Sequence, residues 1–146
     1  MWLFYALSAA IIWGVSYAAS GRVIARGVSP LTFFALYTLA GAAMGLAALA
    51  ITGRLRTVMG EIAGIGGDAF WLAVAVVTSG VGTLLIYMAI GGKNATLASP
   101  IEISYPVFVA FFAWLFFRET QLNLGTLAGA ALILAGVAVV YFGNPS

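Results

Sequence analysis

Glu102 is the side chain in this sequence best placed to do chemistry. It lies nine positions after Lys93, inside a long apolar run between Thr96 and Phe117. A carboxylate at such depth can take up a proton or bind a cation. It is expensive there, at roughly 2–3 kcal/mol on insertion scales, and normally faces a protein interior or a cavity. The plainer reading is a carboxylate that snorkels to the near interface or hydrogen-bonds Ser99 or a neighbouring helix. Pro100 and Pro106 flank it. Pro106 has no N–H to return to the Glu102 carbonyl, so a kink is expected, and irregular backbone inside a membrane is tolerated where it is buried or lines water. On a continuous helix, Ser99, Glu102, Tyr105, Pro106 and Val109 would share one face.

Other polar side chains fall in stripes. Ser79, Thr83 and Tyr87 repeat every four residues and would stack on one helical face, as would Trp13, Ser16, Tyr17 and Ser20. Hydroxyls are ordinary glue between membrane helices. Combined with Glu102, they could line one cavity of hydroxyls, aromatics and a carboxylate. A substrate- or proton-binding site of Glu102, Tyr105, Ser99, Trp13, Tyr17, Ser79, Thr83 and Tyr87 is therefore expected.

The elements that must carry these residues follow from composition. Hydrophobic residues make up 64% of the 146, charged residues 7%, and mean hydropathy is +1.13. A soluble domain carries about a quarter charged residues, so the solvent here is lipid. Apolar stretches at about 2–19, 31–52, 69–90, 96–117 and 122–142 each approach the ~20 residues needed to cross a bilayer as helix. Lipid cannot satisfy backbone N–H and C=O groups, and nothing alternates as a barrel strand would. The expected fold is an all-α membrane protein of five transmembrane helices. Arg22 and Arg26 follow the first span, Ser29-Pro30 is a cap with proline opening the second, residues 53–68 form the longest loop, and Asp68 is placed to cap the third. A cleaved signal peptide is the alternative for the first span, but no basic residue precedes it.

Several chemistries are excluded. With no cysteine and no histidine, thiolate or imidazole metal sites, disulfides and Cys or His catalysis are absent. Four acids leave no evident acid/base or metal constellation, so neither an enzyme, a metal nor a cofactor is expected. A net charge of +2 is too small and scattered for nucleic acid.

Five spans put the termini on opposite sides. Arg54, Arg56 and Arg118 then face Arg22, Arg26 and Lys93, a tie that gives the positive-inside rule nothing to act on. Either a weaker signal orients the chain, or it inserts both ways and pairs with an inverted copy. Gly41-x-x-x-Gly45 and Gly125-x-x-x-Gly129 suit close helix contact.

The last two spans resemble a known family. Ala98-Ser99-Pro100, Tyr105-Pro106-Val107-Phe108, Trp114-Leu115-Phe116-Phe117-Arg118-Glu119 and the run Gly129 to Val137 look like the EamA domain of the drug/metabolite transporter superfamily, as does Ile12-Trp13-Gly14. The resemblance covers residues 1–146 as a single five-helix unit. Most members carry two units related as an inverted repeat, so an antiparallel homodimer, giving ten helices, is implied. The small multidrug resistance proteins are similar in size and end on a Gly-x-x-Leu-Ile-x-x-Gly-Val pattern like that of Gly129 to Val137. Gly125, Gly129 and Gly136 are the dimer-packing candidates by that likeness. Those relatives rely on a first-span glutamate that this chain lacks. The resemblance implies a multi-pass protein of a prokaryotic plasma or inner membrane that moves small metabolites or drugs by alternating access, with proton-coupled export as one form. The competing reading is a non-transporting subunit or assembly partner of another membrane protein.

Overall fold

The structure, a computed structural model, describes residues 1–118 and 123–144. Its helices are α1 (Trp2–Ile24), α2 (Pro30–Ile51), α3 (Val58–Gly64), α4 (Ala69–Gly92), α5 (Ala95–Glu102), α6 (Tyr105–Phe117) and α7 (Leu124–Gly143). Short 3₁₀ turns occupy Arg54–Arg56 and Gly66–Asp68. Among the described residues, five helical segments are long and apolar enough to cross a membrane, with α5 and α6 together forming the fourth. Their large apolar side chains are mostly exposed, from Leu3 and Ile11 to Val76 and Leu132. That is what lipid as solvent permits and water does not.

Helix ends follow local chemistry. The Ser29 hydroxyl accepts from the Thr32 N–H at 3.1 Å, and Pro30 opens α2 where its missing N–H costs nothing. Asn94 and Asn123 cap α5 and α7 through side-chain oxygens that accept from Leu97 and Thr126 N–H, each at 2.9 Å. Gly53, at φ 71°, turns the chain out of α2 in the left-handed conformation that glycine adopts without strain. Arg118 does the same after α6 at φ 57°, donating its backbone N–H to the Trp114 carbonyl.

Three boundaries differ from the sequence expectation. The first helix runs past Ala19 to Ile24 and carries Arg22 in its last turn, because a long basic side chain can snorkel from a helix end without ending the helix. Residues 53–68 hold α3 and two 3₁₀ turns instead of open loop, and Asp68 sits in the turn that runs into α4. There the Thr57 hydroxyl and the Arg54 guanidinium both bond the Glu61 carboxylate, at 2.8 and 2.9 Å. The fourth span is broken: Ile103 and Ser104 separate α5 from α6.

The chain divides into two compact units, Met1–Arg22 with Gly92–Ser146, and Val23–Gly91. In the second, Ile86, Tyr87 and Ile90 of α4 are buried. The Tyr87 ring meets Phe33 and Tyr37 of α2 edge to face, with centroids 4.8 and 5.7 Å apart. Near that end Gly91 approaches Pro30 so closely that a Cβ at Gly91 would lie 2.8 Å from the Pro30 Cγ. In the first unit α5 packs on α7, and Ala98 of α5 and Ser20 of α1 are buried.

Candidate functional site

The site is clearest where α5 stops. Glu102 is its last residue, and Pro106 leaves the Glu102 carbonyl without the i+4 donor of a continuous helix. The Ile103 N–H turns back to the Ser99 carbonyl at 3.0 Å and the Ser104 N–H to the Ile101 carbonyl at 3.2 Å, closing α5 with tight turns. Pro100 lies inside α5 without ending it. Seven residues of helix from Ala95 place Glu102 roughly 10 Å along the span, a third of the way into a ~30 Å core.

The carboxylate has a specific partner. Tyr17 of α1 donates its phenolic O–H to Glu102 Oε2 at 3.0 Å, linking residues 85 apart in sequence. Both side chains are half-buried. Among the described residues no Lys or Arg nitrogen lies within ion-pair distance of Glu102, and the ion pair present is Arg54–Glu61, at the protein surface. The negative charge of Glu102, when present, is therefore met by a neutral donor. It also stands at the C-terminal end of a half-helix, where the aligned peptide dipoles present partial negative charge. Carboxylate and helix end thus put negative charge and negative dipole side by side at the interruption.

Trp13 and Tyr17 lie one turn apart on α1 with ring centroids at 5.5 Å, so an aromatic wall continues from the carboxylate. Ser20, one turn further, is fully buried and donates its hydroxyl to the Tyr17 carbonyl at 3.0 Å. Ser99 is half-buried on α5.

Tyr105 lies beyond the interruption that follows Glu102. The helical register assumed from Ser99 to Val109 is interrupted at Ile103–Ser104, and Tyr105 begins α6 with its side chain 57% exposed. Ser79, Thr83 and Tyr87 belong to the second unit, on α4, and pass along that helix from exposed through half-buried to fully buried. Phe33, which packs on Tyr87, was missed from sequence, although the i, i+4 aromatic pair Phe33 and Tyr37 was a usable signal.

The glycines chosen for dimer packing lie on α7. A Cβ at Gly129 or Gly136 would meet nothing within 4 Å, whereas one at Gly125 would come within 3.2 Å of the Asn123 capping oxygen. Gly129 lines a cleft between α6 and α7, together with Phe111 and Trp114. Trp114 carries the Arg118 guanidinium 5.7 Å from its ring centroid.

Five helical segments able to span a bilayer, one of them interrupted beside a carboxylate, define a multi-pass α-helical membrane protein. The profile of the EamA-like transporter family matches residues 1–142. The chain belongs to that family and is a membrane transporter. No curated protein and no solved structure matches it significantly.

Proposed function

We propose that this chain moves small metabolites or drugs by alternating access, working as an antiparallel homodimer in which each copy supplies one inverted five-helix unit. Glu102 is the coupling group, binding a proton, a cationic or amine-bearing substrate, or the two in exchange. The observation that carries this reading is the Tyr17–Glu102 hydrogen bond at a break in a spanning helix. A carboxylate held there by a neutral phenol can release that donor when a cation arrives. An Arg or Lys partner would compete with the cation directly. Family membership supports transport, and the tie in Lys/Arg between the two sides supports insertion in both orientations. Trp13, Tyr17 and Ser99 serve as the aromatic and hydroxyl wall of the site on this reading.

Two experiments test it. In reconstituted vesicles, Glu102→Gln should abolish solute-driven proton movement and the pH dependence of uptake; unchanged transport with an unchanged pH profile refutes the carboxylate role. For orientation, the chain has no native cysteine, so Ser146→Cys offers one labelling site. About half the molecules should react with an impermeant thiol reagent in intact cells, the fraction expected of balanced insertion. All-or-none labelling would refute the antiparallel dimer and leave the Glu102 reading standing on its own test.

A further inference from the structure

The cleft between α6 and α7 is separate from the Tyr17–Glu102 pair. Its volume is about 430 Å³, within the ~300–1,000 Å³ range of small-ligand sites. One wall is α6, with Val107, Ala110, Phe111 and Trp114; the other is α7, where Gly129 and Ala130 leave room. Both helices belong to segments long and apolar enough to cross a membrane, which puts the cleft within reach of lipid tails. The chain returns as α7 alongside α6, which sets Trp114 and Thr126 toward the connecting end and Pro106 and Ile133 toward the other. At the connecting end the composition changes. Arg118 holds its guanidinium over the Trp114 ring, and its left-handed backbone ends α6 at that point. The Thr126 hydroxyl adds a polar group to the same end.

We propose that this cleft is a binding site for an anionic glycerophospholipid, with one acyl chain between α6 and α7 and the headgroup phosphate on Arg118. Charge complementarity fixes the occupant. A guanidinium offers a planar fork of donors that matches phosphate oxygens, and its place 5.7 Å over the ring of Trp114, a residue of the cleft wall, keeps that fork beside the cleft. The apolar length below the mouth suits a chain of methylenes. A zwitterionic lipid fills the cleft equally well but brings its own cation to compete for the phosphate. Acyl fit sets retention, and Arg118 sets headgroup preference.

Purified full-length protein, exchanged into detergent containing phosphatidylglycerol and phosphatidylcholine of identical acyl chains, tests this by native mass spectrometry. The wild type should retain phosphatidylglycerol with about fivefold preference, the scale of one basic residue acting on one anionic headgroup. Arg118→Gln should bring the preference to near unity while lipid is still retained, and Arg118→Lys should keep most of it. Gly129→Leu projects a side chain into the cleft without a backbone clash, since nothing lies within 4 Å of its Cβ. It should lower retention of both lipids, with the thermal unfolding of the variant confirming that it is folded. Equal retention of both lipids by the wild type, or a preference untouched by Arg118→Gln, overturns the headgroup assignment. Retention untouched by Gly129→Leu overturns the cleft. An intermolecular disulfide formed by Ala130→Cys would show that a second copy covers the cleft, and would overturn the proposal as a whole.

Discussion

Replacing Tyr17 by phenylalanine and Glu102 by glutamine, singly and together, isolates the contact on which the functional reading rests. Phenylalanine keeps the ring beside Trp13, 5.5 Å away, and removes the hydroxyl alone. The lost bond is 3.0 Å long and ends on a carboxylate oxygen. Hydrogen bonds to charged groups contribute about 1.5–3 kcal/mol net, and neutral ones about 1 kcal/mol. Both side chains are half-buried, which favours the lower half of the charged range. Tyr17→Phe should therefore destabilise the folded chain by about 1.5–2 kcal/mol. In the Glu102→Gln background the amide oxygen still accepts, so the same change should cost about 1 kcal/mol or less. The coupling between the two positions should then be roughly 0.5–1 kcal/mol, above the ~0.3–0.5 kcal/mol within which independent sites add. Equilibrium unfolding in mixed micelles, followed by far-ultraviolet circular dichroism at neutral pH, gives all four corners of the cycle. Additive single changes, or a Tyr17→Phe variant as stable as the parent, would show that the phenol does not hold the carboxylate in the folded protein.

Two further outcomes follow from contacts elsewhere. Gly91→Ala gains about 1 kcal/mol of helix propensity but sets a Cβ 2.8 Å from the stiff Pro30 ring. Overpacking of about 1–3 kcal/mol outweighs the gain, so Gly91→Ala should lower the unfolding midpoint. Gly92→Ala, with nothing within 4 Å, should hold or raise it; equal behaviour of the two variants would remove the close approach. Glu61 is held below the ordinary carboxylate range, first by the Arg54 guanidinium and then by the Thr57 hydroxyl, both hydrogen-bonding its carboxylate. A depressed value means the contribution is present above the unfolded pKa of about 4.3 and fades as pH falls through the lower folded value. The difference in amide-exchange protection of α3 between wild type and Arg54→Gln should accordingly shrink below about pH 4; a difference that grows on acidification would reverse the assignment.

Much of this architecture was legible because lipid leaves a chain few choices. A run of ~20 apolar residues must be helical, so five spans could be counted from the sequence, and Ser29-Pro30 marked a helix start by chemistry that needs no tertiary partner. Glu102 stood out by its cost alone. Its partner did not: Tyr17 was one of several polar residues on the first span, and only the fold brings α1 to the end of α5. The interruption before Tyr105 was hidden for a related reason. Periodicity assumes an unbroken helix, and the turn at Ile103–Ser104 interrupts the one on which the Ser99-to-Val109 face was drawn. The structure of residues 53–68 was hidden because its stabilising contacts, Arg54 and Thr57 on Glu61, are made by polar side chains seven and four residues apart, which a hydropathy pattern does not weigh.

The chemistry of the Tyr17–Glu102 pair bears on why an acid stands there at all. Tyr17 needs only an acceptor, and a glutamine amide oxygen would supply one with no charge to place in the membrane. An ionised carboxylate in a span costs roughly 2–3 kcal/mol on insertion scales. A phenol hydrogen bond of about 1.5–2 kcal/mol at this half-buried position does no more than offset that. As a structural tether, then, Glu102 gives little that glutamine would not. The helix break adds to the imbalance, since the end of α5 presents partial negative charge beside the carboxylate. Each of these features is unfavourable to an anionic site left empty and is eased by a bound cation. That balance fits the proposed role of Glu102 as a site that fills and empties, and the Glu102→Gln variant separates tether from site: on the proposed reading it should fold as well as the parent while losing coupled transport.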